Sequence, residues 1–282
     1  MKTITAIEEM TVYANKLKKR GHTSGFVPTM GALHEGHLSL VEAAAAGNEK
    51  VIVSIFVNPT QFLPGEDFEK YPRPVKKDLK MLKDTKKVDC VFMPERASMY
   101  PEDAATFVTL ENDMTKILCG ASRPGHFKGV TTIVAELLNI VKPDNLYLGQ
   151  KDAQQALILK KMMKDLHYDT QVVLCPIVRE KDGLALSSRN MYLTPQERDT
   201  APVLYKSLQM AESMVELGER SAETVKKEIK RKIKDAGVEI DYVETVDPAT
   251  LTPVDKITGE VLIAAAIFVG KTRLIDNTII KA

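Results

Sequence analysis

Val51-Ile52-Val53-Ser54-Ile55-Phe56-Val57 is the stretch on which the fold turns. Five of its seven residues are β-branched, and polar residues do not alternate with apolar ones. A strand of that kind is buried on both faces, as in a parallel sheet covered by helices. Working outward, the same strand–helix rhythm continues. Toward the N-terminus, Ser24 to Val27 is a short apolar run ending at Pro28, and His34-Glu35-Gly36-His37 opens an Ala-rich helix that stops near Gly47. Before it, Thr5 and Glu8 have capping-box spacing, and Ile7, Met10, Ala14 and Leu17 predict a helix ending near Gly21. Toward the C-terminus the pattern predicts a helix over Pro74 to Lys86 and a strand over Val88 to Met93, then a helix over Gly129 to Val141 and a strand over Leu146 to Leu148. A helix capped by Asp152 and a strand over Gln171 to Ile177 complete the series. The reading is α/β: an open parallel sheet with helices on both faces.

After Asp182-Gly183 the alternation ends. Thr194-Pro195-Gln196-Glu197 is a second capping box, with proline at the first helical position. It leads a long helix carrying Leu204, Leu208, Ala211 and Val215, and Ser221 starts another that ends at Gly237. Short strands follow over Ile240 to Val246, Val261 to Val269 and Arg273 to Ile275. Two domains are expected, 1–183 and a smaller α+β domain over 184–282.

Composition narrows the function. Hydrophobic residues make up 44% and charged residues 27%, so the chain is globular. A net charge of +1 gives no bulk attraction to nucleic acid or an anionic membrane. The three cysteines, Cys90, Cys119 and Cys175, are too few and too scattered for a disulfide framework or a zinc cluster, and read as core residues of a protein in a reducing compartment. The longest apolar run, Val261 to Val269, is too short to span a bilayer. Glu8 and Glu9 interrupt the N-terminus where a signal peptide needs an apolar core, so a cytoplasmic location is expected.

In open parallel sheets, ligands bind beyond the carboxyl ends of the strands. His34, His37, Asn58, Gln61 and Lys151 all follow predicted strands. Spacing alone leaves three readings of His34 and His37: a metal-binding pair, two surface histidines, or phosphate ligands at a helix start whose N–H groups and dipole favour anions. Lys151, between Gln150 and Asp152, suits nucleotide phosphates as a point charge. Leu186-Ser187-Ser188-Arg189-Asn190 is either a polar linker or a phosphate clamp. Gln154 and Gln155 open a helix that is otherwise apolar on its inner face; Gln154 reads as exposed or as facing a cleft. There is no G-x-x-x-x-G-K-[ST] motif, which excludes a P-loop, and no G-x-G-x-x-G after the first predicted strand.

Taken together, these stretches resemble the pantothenate synthetase (pantoate–β-alanine ligase) family. The resemblance runs through Pro28 to Leu40, Phe56 to Phe62, Tyr71-Pro72-Arg73, Arg123 to Phe127 with Gly129-Val130, Lys151-Asp152 with Gln154-Gln155, Asp182 to Asn190, and Thr272 to Asn277, all in family order. It implies a Rossmann-like nucleotidyltransferase domain, a C-terminal lid domain, a homodimer, and ATP with Mg²⁺. His34-Glu35-Gly36-His37 is similar to the H-I-G-H motif of that superfamily.

The implied reaction condenses (R)-pantoate with β-alanine through pantoyl adenylate, releasing diphosphate and then AMP. The resemblance implies an ATP site built from Met30, Gly31, Ala32, Leu33, His34, Glu35, Gly36, His37, Gly149, Gln150, Lys151, Asp152, Val178, Leu186, Ser187, Ser188 and Arg189. His37, His34 and Lys151 are the implied catalytic residues, with His37 as proton donor, and Gln61 and Gln155 the implied pantoate ligands; no metal ligand is assigned. Two rivals remain at this point: an adenylyltransferase acting on another small acceptor, and a non-catalytic ATP sensor.

Overall fold

The computed structural model describes residues 1–282 and divides into two compact units. The first comprises Met1–Leu110, Pro124–Gly149 and Ile158–Pro176. Its strands are β1 (Lys2–Ile4), β2 (Ser24–Thr29), β3 (Lys50–Ile55), β4 (Cys90–Phe92), β5 (Asn145–Gly149) and β6 (Gln171–Cys175). They form one sheet, all parallel, in the order β1-β4-β3-β2-β5-β6. The apolar run is β3, buried from Val51 to Ile55. Val27, Val51, Val53 and Val91 pack with Leu40, Val41, Ala44 and Leu82 on one face. Phe26, Ile52, Cys90 and Phe92, of opposite parity, are equally buried on the other.

The strand order reverses beside β2: the chain leaves β2 for β3 on one side, and β5 lies on the other. There the ladder is incomplete. β2 pairs with β5 only at Gly25–Asn145 and Phe26–Leu146, whereas β2 pairs with β3 as far as Thr29 and β5 with β6 as far as Gly149. Pro28 accounts for this. The Thr29 carbonyl accepts from Phe56 N–H at 3.0 Å on the β3 side, so alternation turns Pro28 toward β5, where proline has no N–H to give. The sheet therefore opens at the carboxyl ends of β2 and β5, the switch point at which such sheets hold ligands.

The second unit comprises Glu111–Arg123, Gln150–Leu157 and Ile177–Ala282. Its antiparallel sheet has the order β7 (Glu239–Val246), β8 (Glu260–Val269), β9 (Thr272–Lys281). Helices Val203–Glu216 and Ala222–Asp235 bury Leu204, Leu208, Ala211, Val225, Ile229 and Ile233 with Ile263, Ala265 and Ile267 of β8. This unit begins at Ile177 rather than at Leu184 and takes in two earlier segments. Hydrogen bonds explain their membership: Gln154 Oε1 accepts from Cys119 N–H at 2.9 Å, Ser122 Oγ donates to Asp241 at 2.6 Å, and Asn277 Nδ2 donates to the Gln150 carbonyl at 2.9 Å.

Several local expectations change. The Thr5–Glu8 capping box does not form; the first helix starts at Ile7 behind Ala6, with no side-chain cap, because residues 2–4 are in β1. The Thr194–Glu197 box does form, but its helix ends at Thr200 and a new one starts at Val203, since Pro202 breaks the run. β9 runs on to Lys281, because Asp276 and Asn277, which look like a stop, are buried and partnered. Cys119 is buried, as expected of a core residue, in a short helix, Cys119–Ser122; its Sγ lies 3.3 Å from the Tyr242 hydroxyl. Gln154 is buried, not exposed, and clamps the 114–119 backbone through the Met114 and Ile117 carbonyls.

Candidate functional site

In the first unit, the residues after β2 form a turn and a helix start. Thr29 Oγ1 donates to the Ser54 carbonyl at 2.7 Å and accepts from Gly31 N–H at 3.1 Å, which fixes the exit from the strand. His34 is the N-cap of helix Glu35–Gly47. Its Nδ1 accepts from Gly36 N–H at 3.2 Å, and His37 Nδ1 accepts from His34 N–H at 3.3 Å. The two imidazoles thus make a reciprocal capping box, with ring centroids 4.1 Å apart. An Nδ1 that accepts carries no proton, so each neutral ring has its N–H at Nε2. Both histidines thus have Nε2–H as their donor at a helix N-terminus. Part of the expected supply of helix N–H groups is therefore used by the histidines themselves.

Gln61 ends a 3-10 turn, Pro59–Gln61, that follows β3. Its Oε1 accepts from Asn58 Nδ2 at 3.0 Å, its Nε2 lies 3.1 Å from Met30 Sδ, and its carbonyl oxygen lies 2.7 Å from His126 Nδ1. Asn58 is buried and also donates to the Gly129 carbonyl at 3.0 Å, while its Oδ1 accepts from the Tyr100 hydroxyl at 2.8 Å. Burial pushes the Tyr100 hydroxyl up to about 12, so it stays a donor. Within this unit, Met30 and Gln61 are brought together, and the His34 and His37 rings meet at a tilt of 44°. Gly149 closes β5 at the opening of the sheet.

In the second unit, Gln150, Lys151 and Asp152 form a 3-10 turn leading into the helix that carries Gln155. Lys151 Nζ is 3.9 Å from Asp152 Oδ1. Asn277 Nδ2 donates to both the Gln150 and Lys151 carbonyls, at 2.9 and 3.1 Å. Beside it, Asp276 receives Arg179 in a two-pronged pair at 2.6 and 3.0 Å, and the Arg179 guanidinium stacks 4.1 Å from the Tyr205 ring. The Val178 carbonyl accepts from Leu186 N–H at 3.0 Å. Ser187 Oγ caps the following turn by accepting from Arg189 N–H at 3.3 Å, and Ser188 and Arg189 lie in that 3-10 turn, Ser188–Tyr192. Arg198 bridges Glu180 at 2.7 Å and Asp182 at 2.6 Å in the segment that leads to this turn.

The chain matches the family described as "Pantoate-beta-alanine ligase" over residues 2–279. It belongs to that family. It is 54% identical over 281 residues to a pantothenate synthetase of Thermotoga petrophila, covering 99% of this chain and 100% of that protein. The crystal structure of pantothenate synthetase from Thermus thermophilus superposes with a TM-score of 0.94 at 41% identity, covering 99% of each chain. A pantoate-beta-alanine ligase from Francisella tularensis, complexed with "Beta-gamma ATP and Beta-alanine", gives a TM-score of 0.81 at 37% identity, over 99% of this chain and 97% of that one. The membership accords with the α/β sheet and the small antiparallel sheet described above.

Sequence reading missed three residues that shape these regions. His126 supports the Gln61 carbonyl; its place in Arg123 to Phe127 was the available hint, and no role was assigned to it. Asn277 holds the Lys151 turn, and its place in Thr272 to Asn277 was the available hint. Asp78 is surrounded in sequence by lysines and looks like a solvated helix residue, yet it is buried.

Proposed function

We propose that this protein condenses (R)-pantoate with β-alanine at the expense of ATP, through pantoyl adenylate. A pantoate carboxylate oxygen attacks the α-phosphorus, the bond from that phosphorus to the bridging oxygen breaks, and diphosphate leaves. The neutral amine of β-alanine then attacks the acyl carbon, the bond from that carbon to the phosphate oxygen breaks, and AMP leaves; the amine proton passes to solvent or phosphate.

The observation that carries this reading is the reciprocal histidine cap, which occupies both Nδ1 atoms and leaves Nε2 as each ring's N–H donor at the helix start after β2. Such donors stabilise charge that grows on phosphate oxygens during transfer without prior reorganisation. We assign His34 and His37 to the phosphates as hydrogen-bond donors through Nε2–H, and Met30 to His37 with Gly149 to the nucleotide. Lys151 neutralises the α-phosphate and the departing diphosphate, with Gln150, Asp152, Val178, Leu186, Ser187, Ser188 and Arg189 contributing to the ATP site. Gln61 and Gln155 hold pantoate; the amide of Gln61 is already oriented by Asn58 and Met30. Support for the nucleotide and the amine comes from the Francisella relative, whose complex contains an ATP-type ligand and β-alanine.

No three His, Cys, Asp or Glu side chains gather to hold a metal ion. The residues present thus form no protein cage for Mg²⁺, which enters the proposal only as the companion of ATP's phosphates. The proposal extends to a homodimer in the cytoplasm, as the family resemblance implies; no helix is long and apolar enough to cross a membrane.

Mass spectrometry of the products from ATP, pantoate and β-alanine tests the function. Pantothenate, AMP and diphosphate in equal amounts are expected. ADP as the nucleotide product, or turnover indifferent to pantoate, would refute it.

A further inference from the structure

Asp78 is in the first turn of helix Val75–Asp84 and is 1% exposed. Its carboxylate accepts two successive backbone N–H groups: Oδ2 from Ala32 at 2.9 Å and Oδ1 from Leu33 at 2.9 Å. The turn that offers them is unusual. Gly31 has φ +78° and Ala32 has φ +50°, so two consecutive residues are left-handed. Glycine adopts that conformation readily, but alanine does not. A backbone of this kind turns neighbouring N–H groups to one side and forms a concavity for an anion. Here the anion is the protein's own carboxylate. The fit is close: a Cβ on Gly31 would stand 3.0 Å from Asp78 Oδ2 and 3.1 Å from Ile55 Cγ2. The next residue along the chain is His34, the N-cap on which both imidazoles depend.

We infer that Asp78 is a positioning residue for adenylation. Its buried carboxylate holds Gly31-Ala32-Leu33 in the left-handed turn that sets where His34 and His37 stand. By occupying the two N–H groups, it also denies that concavity to phosphate and leaves the anion to the histidine end of the motif. This inference rests on the proposed role of the histidines at ATP's phosphates.

The test is exchange of labelled diphosphate into ATP with pantoate and Mg²⁺ and without β-alanine, which reads the first half-reaction alone. Asp78→Asn keeps the side-chain shape but sets an amide N–H against one backbone N–H. A displacement of about 1 Å in the reacting groups lowers rates by about 100-fold, and that loss is expected in the kcat of exchange. Conversion of supplied pantoyl adenylate by β-alanine, measured on the same preparation, should stay at the wild-type rate. Asp78→Glu keeps the charge but displaces the carboxylate by one methylene and should give the same split, which keeps the test decisive if one variant folds poorly. Equal loss in both half-reactions would reduce Asp78 to a folding role, and full exchange in both variants would show that it positions nothing; either overturns the inference. Recovery of the Asp78→Asn rate at high Mg²⁺ would assign the carboxylate to the metal and overturn it as well. Absence of pantoate-dependent exchange from the unmodified protein would overturn the functional reading first, and this inference with it.

Discussion

Replacing Gly129 by alanine would place a methyl carbon 2.3 Å from the Thr60 carbonyl oxygen and 2.6 Å from the Gln61 amide nitrogen. Favourable contacts lie at about 3.5–4.0 Å, so helix His126–Val141 and the Pro59–Gln61 turn must separate by about 1 Å. The obstructing atoms are backbone, which cannot rotate aside. The same movement stretches two bonds that join these elements, Asn58 Nδ2 to the Gly129 carbonyl and His126 Nδ1 to the Gln61 carbonyl. Overpacking of this kind costs about 1–3 kcal/mol, and alanine's helix preference over glycine returns about 1 kcal/mol. Net destabilisation should therefore be about 0–2 kcal/mol, or a fall in Tm of a few degrees for a chain of this length. Activity should suffer far more, because a displacement of about 1 Å of Gln61 lowers kcat/KM for pantoate by about 100-fold. The assay is kcat/KM for pantoate at saturating ATP beside a thermal melt. Wild-type kcat/KM in Gly129→Ala would refute the reasoning. So would a loss of activity no larger than the loss of folded protein.

Three further outcomes follow from the structure. Lys151→Ala should depress the first half-reaction much more than the conversion of supplied pantoyl adenylate; equal losses, measured by stopped assays of each step, would remove Lys151 from the phosphates. Asn277→Ala should leave the partly buried Gln150 and Lys151 carbonyls without this donor, at a cost of about 1 kcal/mol, and should lower kcat with Lys151 intact; an unchanged kcat would show that the turn holds itself. Alkali should destabilise the fold. Burial holds Cys90 at about 12 against 9.0, and Tyr13 and Tyr100 at about 12 against 10.0, so these groups ionise first in the unfolded chain. Their stabilisation is complete below pH 9 and is lost as pH rises toward 12, which equilibrium unfolding against pH checks; Cys90→Ala should flatten the first part of that fall.

How much of this was legible varies with the physics involved. The β3 run announced a doubly buried strand because hydrophobic patterning is local, and the Thr194–Glu197 cap formed because its two partners are three residues apart. β1 was invisible: three residues at the sheet edge bury only Ile4, and their pairing with β4 lies almost ninety residues away. The capping-box spacing at Thr5 misled for the same reason, since tertiary strand pairing governs that backbone. In the second unit, β9 continues through Asp276 and Asn277 because Arg179 and the Gln150–Lys151 turn satisfy them, and partners that distant leave no mark on local pattern. The histidine motif was legible as chemistry, but not its geometry: spacing could not reveal that each imidazole caps the helix through Nδ1 and is left with Nε2–H as its donor.

The claim at the centre is that pantoate's carboxylate attacks the α-phosphorus. Oxygen-18 in that carboxylate tests it most directly, because the oxygen that bridges carbon and phosphorus departs with AMP. With ATP, Mg²⁺ and β-alanine supplied, mass spectrometry should find one labelled oxygen in AMP and one in pantothenate. Both labels retained in pantothenate, or label in inorganic phosphate beside ADP, would contradict the adenylate route even if pantothenate were made.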